Sequence, residues 1–446
     1  MSLALYPCEC QPLNRVGHRL TPEVGDAVAM PPGNQDEESA ARSAETVRQL
    51  QDLATPAGAA ALTRAAELLA GRTDAVTALS RLRTEVGVQL AGPAWGIARQ
   101  RAKARPAFGA DADRLLFTGD TLEQAGRPAL ADRRAGRLLT GGVASVADLG
   151  CAAGTDTLAL ARAGASVLAV DRDPVARTLT AANAAAVGVA DRVQVVDADV
   201  VDLVAAAADG QVAGCDAAVL DPARRAGGRR LLDPDRWSPP WSTVLALLER
   251  VPRCVVKVAP GLDHDRVPAG IEAEWVSIGG SIVEALLWGR GLSTTWRRAT
   301  LVRGGTIAEL IADDDPGLAP VGPVRGWLHE PDPAAIRSGL VSVVAANLGA
   351  TLVDPTIAYL TSDSPTGSPW ASSHPVTDVL PFNLKKLKAL LRSRDVGRVV
   401  VKKRGSPIEP DALARQLRGP GSGTAVVVVT RVAGAPTVLV CGPPSA

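Results

Sequence analysis

The chain has 446 residues, 46% hydrophobic and 21% charged, with a net charge of +1. That length exceeds one ordinary core and points to two to four domains, while near-neutrality excludes a whole-chain polyelectrolyte, so any basic patch has to be local. No run nears the ~20 apolar residues that span a bilayer, the N-terminus lacks a basic region ahead of a long apolar stretch, and the six cysteines show no zinc-site spacing; the expectation is a cytoplasmic protein with reduced, structural thiols, no membrane partner and no metal.

Residues 1–40 carry five prolines and then an acidic run, NQDEE, and read as a disordered tail. Residues 41–138 read as a helical N-terminal module. Leu50, Leu53, Leu62, Leu68, Leu69, Leu79, Leu82 and Leu90 recur near a period of 3.6, with breaks at Pro56 and Gly71. A basic helix through Arg99, Arg101, Lys103 and Arg105 is expected to stop at Pro106, and LEQAGRPALADRRAGRLL to form one further helix.

From 139 to 312 the rhythm is strand, helix, strand. VASVADL, SVLAVD, RVQVVDAD, AAVLDPA and CVVKVAP are short apolar runs, which argue for a parallel sheet covered by helices on both faces. AEWVSIGG and EALLWGRG, followed by TWRRATLVRG, read as an antiparallel hairpin closing that sheet. A linker rich in Asp, Pro and Gly, 313–323, separates this part from an α+β domain at 324–446. There the expected elements are a helix over Pro333–Gly349, a helix over PFNLKKLKALLRSR, and a terminal hairpin AVVVVTRV-AGAP-TVLVC.

The first strand ends in Asp148 and turns on Gly150, Ala152 and Gly154; the second ends in Asp171, seventeen residues after Gly154. Residues without long side chains let a backbone approach a nucleotide-like ligand, and a carboxylate after the next strand can hold a ribose diol. Asp171 also stands where a cap of the following helix would stand. At the end of the fourth strand, Asp221-Pro222-Ala223-Arg224 leads into a loop with Arg225, Arg229 and Arg230 around Gly227-Gly228. An aspartate there can accept amine protons, and an arginine can stack on a base or clamp a phosphate. Lys257 stands alone in an apolar strand, either reaching the cleft or snorkelling out.

Asp148-x-Gly150-x-Ala152-x-Gly154 resembles motif I of class I S-adenosylmethionine-dependent methyltransferases, with alanine in place of the middle glycine. The resemblance implies a Rossmann-like seven-stranded core and S-adenosylmethionine as cofactor. It puts Asp148 near the methionine end, Asp171 on the ribose hydroxyls and Asp199 at the adenine amino group. Asp221-Pro222 occupies the place of motif IV in amino-methyltransferases, but Ala223 and Arg224 replace its second proline and aromatic residue. The same stretch is similar to the D-P-P-R of RNA 5-methyluridine methyltransferases, whose nucleophilic cysteine has no counterpart here: Cys254 lies at the wrong end of its strand.

HEPDPAAIRSGL, DPTIAYLTSD, the segment from Val379 to Gly405 and the final hairpin resemble the THUMP-like domain that follows bacterial methyltransferase domains of this kind. That implies RNA, tRNA or rRNA, as partner, and together with the motif IV likeness it implies methylation of a nucleobase nitrogen. Lys402, Lys403 and Arg404, with Arg225, Arg229 and Arg230, are the expected phosphate contacts, and Lys385, Lys386, Lys388, Arg392 and Arg394 line a helix. A small-molecule or protein methyltransferase, and a non-catalytic RNA-binding protein with a vestigial cofactor fold, stay open. Oligomeric state is not legible.

Overall fold

The computed structural model describes residues 33–444 except 227, 228 and 232. These fall into two compact units, one of residues 33–258 with 287–292, the other of residues 259–286 and 293–444.

The first unit begins with helices α1 (Gly33–Leu53), α2 (Pro56–Ala70), α3 (Ala75–Val86), α4 (Val88–Phe108), α5 (Gly119–Gln124) and α6 (Pro128–Leu138). Local chemistry sets their ends. The Thr55 hydroxyl accepts the Gly58 N–H at 3.1 Å and Pro56 opens α2, while Asp74 accepts the N–H groups of Val76 and Thr77 to start α3. Leu50, Leu53, Leu62, Leu68 and Leu82 are buried, each contributing about 1.5–3 kcal/mol of transfer free energy. Three boundaries differ from expectation. Residues 33–40, read as tail, belong to α1. Helix α4 runs through Pro93 and past Pro106. The helix expected over 122–139 breaks at Gly126-Arg127, with Pro128 restarting it as α6. Residues 1–32 lie outside the described part.

The sheet follows as β1 (Ser145–Leu149), α7 (Thr155–Arg162), β2 (Ser166–Val170), α8 (Pro174–Val187), β3 (Val193–Val196), α9 (Val200–Ala205), β4 (Ala217–Leu220), the small ribbon β5 (Arg225–Ala226) and β6 (Arg229–Arg230), α10 (Trp241–Arg250) and β7 (Cys254–Val258). Strands β3-β2-β1-β4-β7 are hydrogen-bonded in that order and all parallel. Leu149 is level with both Val170 and Leu220, and Leu220 with Val256. Parallel register therefore delivers Gly150, Asp171, Asp221 and Lys257 to one edge of the sheet, the edge where open α/β sheets bind ligands.

The second unit carries β8 (Glu272–Ile278), β9 (Ser281–Trp288), β10 (Arg297–Arg303) and β11 (Thr306–Ala312) in the order β11-β10-β8-β9; the last residues of β9, Leu287 and Trp288, belong to the first unit, where β9 neighbours β7. Two-residue glycine turns, Gly279-Gly280 and Gly304-Gly305, all at positive φ, link β8 to β9 and β10 to β11. Strand β10 pairs with β8 in parallel, not antiparallel.

The remaining elements are β12 (Trp327–Pro331), α11 (Pro333–Arg337), α12 (Val341–Leu348), β13 (Thr351–Asp354), β14 (Ile357–Ser362), β15 (Ala371–Pro381), α13 (Leu384–Ser393), β16 (Val396–Lys403), α14 (Pro410–Leu417), β17 (Gly423–Val432) and β18 (Ala435–Cys441). They form a sheet ordered β13-β14-β12-β15-β18-β17-β16. Leu387, Leu391, Leu413 and Leu417 pack α13 and α14 onto Val427 and Val438. The expected terminal hairpin is β17–β18, whereas the helix expected over Pro333–Gly349 is two, divided at Gly339 where φ is +79°.

Candidate active site

The turn after β1 is built from backbone contacts. The N–H groups of Gly150 and Cys151 both donate to the Val170 carbonyl, at 2.9 and 3.0 Å, and Gly154 N–H donates to Cys151 at 2.8 Å. Gly150, Ala152 and Gly154 have φ of +87°, +50° and +85°. Ala152 thus takes a left-handed conformation that costs an L-residue roughly 1–2 kcal/mol. A Cβ on Gly154 would lie 3.2 Å from Thr180 of α8, and one on Gly150 would lie 3.4 Å from the Asp221 carbonyl oxygen. The small residues are needed because α8 and the end of β4 crowd the turn.

Asp148 is buried and accepts the Thr157 hydroxyl. Burial, with Asp156 nearby, pushes its carboxyl well above the usual carboxylate range. Asp171 is not the cap of α8; Asp173 is, accepting the Val175 N–H at 2.9 Å. The two oxygens of Asp171 take the N–H groups of Ala152, at 3.1 Å, and Asp173, at 2.9 Å. It therefore ties the second strand end to the turn while staying part-exposed, and burial raises its carboxyl. Asp199 caps α9 through the Val201 N–H at 2.7 Å, with Arg172 at 3.9 Å.

Past β4, Ala223 and Ser238 exchange backbone hydrogen bonds of 2.8 and 3.1 Å, and Leu231 N–H donates to the Arg224 carbonyl at 2.8 Å, so the DPAR segment is held at both ends. Pro222 is buried. Arg224 Nη2 lies 3.8 Å from Asp221 Oδ1, and its Nη1 is buried with no hydrogen-bond partner among the described residues. The backbones of Arg225, Arg229 and Arg230 form the β5–β6 ribbon; their side chains lie outside the described part.

The sequence reading missed what surrounds Asp221. Its Oδ2 is ion-paired with Lys257, whose Nζ also lies 3.5 Å from Asp156 Oδ2. Asp156 Oδ1 in turn receives Arg134 Nε at 2.9 Å and Nη2 at 2.6 Å. Burial opposes the Asp156 charge, yet Arg134 and Lys257 hold its carboxyl below the usual range. Gly126, in the break between α5 and α6, leaves room: a Cβ there would sit 3.4 Å from Lys257 Nζ. The only signal in the sequence was a lysine among apolar neighbours.

In the second unit, Lys402 and Arg404 are both ion-paired with Glu330, and Lys403 with Glu409 at 3.3 Å. Arg303, Glu330, Asp332, Ser372, Lys402 and Arg404 line a polar cavity of about 250 Å³. The exposed face of α13 carries Lys385, Lys386 and Arg392. Cys151, Cys215, Cys254 and Cys441 are free and buried, and burial pushes the Cys254 thiol up to about 12, which suits no nucleophile. Among the described residues no group of three or more His, Cys, Asp or Glu could hold a metal, and no helix is long and apolar enough to cross a membrane.

Comparison with known proteins bears on this geometry. Residues 143–229 match the family model described as RNA cap guanine-N2 methyltransferase, and residues 371–443 the one described as THUMP domain-like. The uncharacterized S-adenosylmethionine-dependent methyltransferase Rv3037c of Mycobacterium tuberculosis (strain ATCC 25618 / H37Rv) is 36% identical over 322 residues, covering 71% of this chain and 85% of that protein. Its counterpart MT3122 from strain CDC 1551 / Oshkosh gives the same figures. The crystal structure of a methyltransferase candidate from Porphyromonas gingivalis W83 superposes with a TM-score of 0.64 at 17% identity, over 79% of this chain and 90% of that one, a likeness of fold.

The residues present suit such a cofactor. The turn offers main-chain groups beside Asp221 and Thr180, and Asp171 offers an anchored, part-exposed carboxylate for a diol. On that identity and coverage, the chain belongs to the S-adenosylmethionine-dependent methyltransferases, with S-adenosylmethionine as its cofactor.

Proposed function

We propose that the protein methylates a nucleobase nitrogen in RNA, tRNA or rRNA, with Asp221 orienting the acceptor. The observation that carries this reading is the position of Asp221: a part-exposed carboxylate at the end of β4 whose own carbonyl packs on the turn at Gly150. When bound, S-adenosylmethionine supplies a methyl group activated on a sulfonium sulfur. The Asp148–Gly154 turn, Asp171 and Asp199 hold the cofactor. Asp221 accepts an N–H of the acceptor amine, so that the nitrogen lone pair faces the methyl group. Pro222 stiffens the strand exit, and Arg224, with an Nη1 left over, lies against the base or its phosphate. Arg225, Arg229, Arg230, Lys402, Lys403 and Arg404 track phosphates. Support for RNA comes from the guanine-N2 and THUMP-like family matches, neither of which spans half the chain.

Two measurements test this. Mass spectrometry of modified nucleosides, in cells with and without the gene, is expected to show one methylated base missing without it. Asp221→Ala is expected to abolish transfer while calorimetric affinity for S-adenosylhomocysteine stays within a few-fold; collapse of that affinity makes Asp221 structural. One observation favours a small molecule or protein as acceptor instead: Glu330 already neutralises much of the charge on Lys402 and Arg404. A phosphate-tracking surface loses affinity steeply with salt, so RNA binding that ignores salt supports this second reading.

A further inference from the structure

We propose that Lys257 is a positioning residue, which anchors one oxygen of Asp221 and leaves the other aimed at the acceptor. The inference rests on the reading of Asp221 given above.

Strand β7 is otherwise Cys254, Val255, Val256 and Val258, all buried, and the Lys257 side chain is only 7% exposed. Burying an ammonium costs several kcal/mol before pairing, and apolar replacements of buried ion pairs are often neutral or stabilising. Stability alone therefore does not account for a lysine here. Nor does Asp156 need it, since Arg134 already reaches one of its oxygens with two N–H groups, at 2.9 and 2.6 Å, while Lys257 Nζ stands off at 3.5 Å. The tighter contact is to Asp221, whose side chain is 26% exposed.

The two oxygens of Asp221 are thereby made unequal. Oδ2 is held by Lys257. Oδ1 has the Arg224 guanidinium at 3.8 Å, beyond hydrogen-bond range, and is left to accept an N–H. Arg134 and Asp156 fix the ammonium from behind, and Gly126 keeps clear the space it fills. A carboxylate that rotated freely would present its lone pairs to the acceptor only part of the time; holding one oxygen removes that freedom before the acceptor arrives.

The test compares Lys257→Met, Lys257→Gln, Lys257→Ala and Asp221→Ala in the full-length protein. The probe is tritium transfer from methyl-labelled S-adenosylmethionine to total RNA from a strain lacking the gene. Lys257→Met is expected to lower kcat about 100-fold, as for a reacting group allowed to drift, with KM for RNA and S-adenosylhomocysteine affinity within threefold. Lys257→Gln, which retains a donor, loses less, and covers the case where the methionine variant does not fold. Millimolar ethylamine partly restores Lys257→Ala and ethanol does not. The crystal structure of the methionine or glutamine variant supplies a readout free of activity: the Asp221 carboxylate is expected to turn away in the first and hold in the second. Wild-type turnover in Lys257→Met, equal rescue by ethanol, or an unmoved Asp221 carboxylate in Lys257→Met overturns the proposal. Full activity in Asp221→Ala overturns the underlying reading instead, and an inactive Asp221→Ala beside an active Lys257→Met overturns the role of Lys257 alone. If RNA accepts no label even from the wild type, the RNA reading fails and the crystal structures decide the role of Lys257.

Discussion

Ala152 carries a methyl group at a φ of +50°, between two glycines that adopt the same half of conformational space freely. Its N–H still serves Asp171 at 3.1 Å, so the conformation is required by that contact. Ala152→Gly is expected to relieve the strain and stabilise the first unit by about 1 kcal/mol, less the entropy a glycine adds to the unfolded chain; a shift in the denaturant midpoint at constant slope measures it. Gly154→Ala is expected to do the opposite, because its Cβ meets Thr180 at 3.2 Å. Asp148, Gly150, Gly154, Asp171 and Asp221 were legible because each stands beside a strand end, where local spacing marks it. The partnership of Arg134, Asp156 and Lys257 was not, since it joins residues 22 and 101 positions apart and nothing in the neighbouring sequence records it. Asp199 caps α9, a role marked in the sequence by an aspartate just before a helix.

At the scale of elements, α8 is pinned by one buried side chain. Asn183 accepts the Leu116 N–H at 2.7 Å and donates to the carbonyls of Leu116 and Ala153 at 3.1 and 3.0 Å. It thus joins the helical module, α8 and the turn after β1. Asn183→Leu leaves a buried N–H and two carbonyls unpaired, and is expected to destabilise by about 3 kcal/mol or more, since each orphaned group costs about 1–3 kcal/mol; chemical denaturation with cofactor titration reads both the loss and any weakening of S-adenosylhomocysteine binding. The succession of strands and helices was legible from apolar runs and from glycine and proline punctuation, as with Thr55-Pro56 opening α2. The parallel pairing of β10 with β8 was not, because periodicity within a strand does not report its neighbour's direction. Nor was the start of α1, which lies within the stretch read as tail.

At the scale of the molecule, titration is unevenly distributed. His264, His329 and His374 all lie in the second unit, and burial lowers each of them. His329, fully buried between the hydroxyls of Ser373 and Ser362, is pushed down to about 4, with Arg325 and His374 adding to the effect. A histidine whose folded value lies below its unfolded one stabilises above the unfolded value and loses that stabilisation as pH falls through the folded one. The second unit is therefore expected to weaken between about pH 6.5 and 4, by on the order of 3 kcal/mol from His329. Scanning calorimetry should show one transition moving down over that range, and His329→Gln should flatten its pH dependence. Salt divides the molecule along another line. The exposed cations of α13 sit in solvent, where a Debye length of about 8 Å at physiological ionic strength mutes them. The Arg134–Asp156–Lys257 chain is walled off from mobile ions. On the proposed RNA reading, raising ionic strength is expected to weaken capture of the substrate and to leave turnover of the bound one unchanged, read as KM against kcat across a salt series.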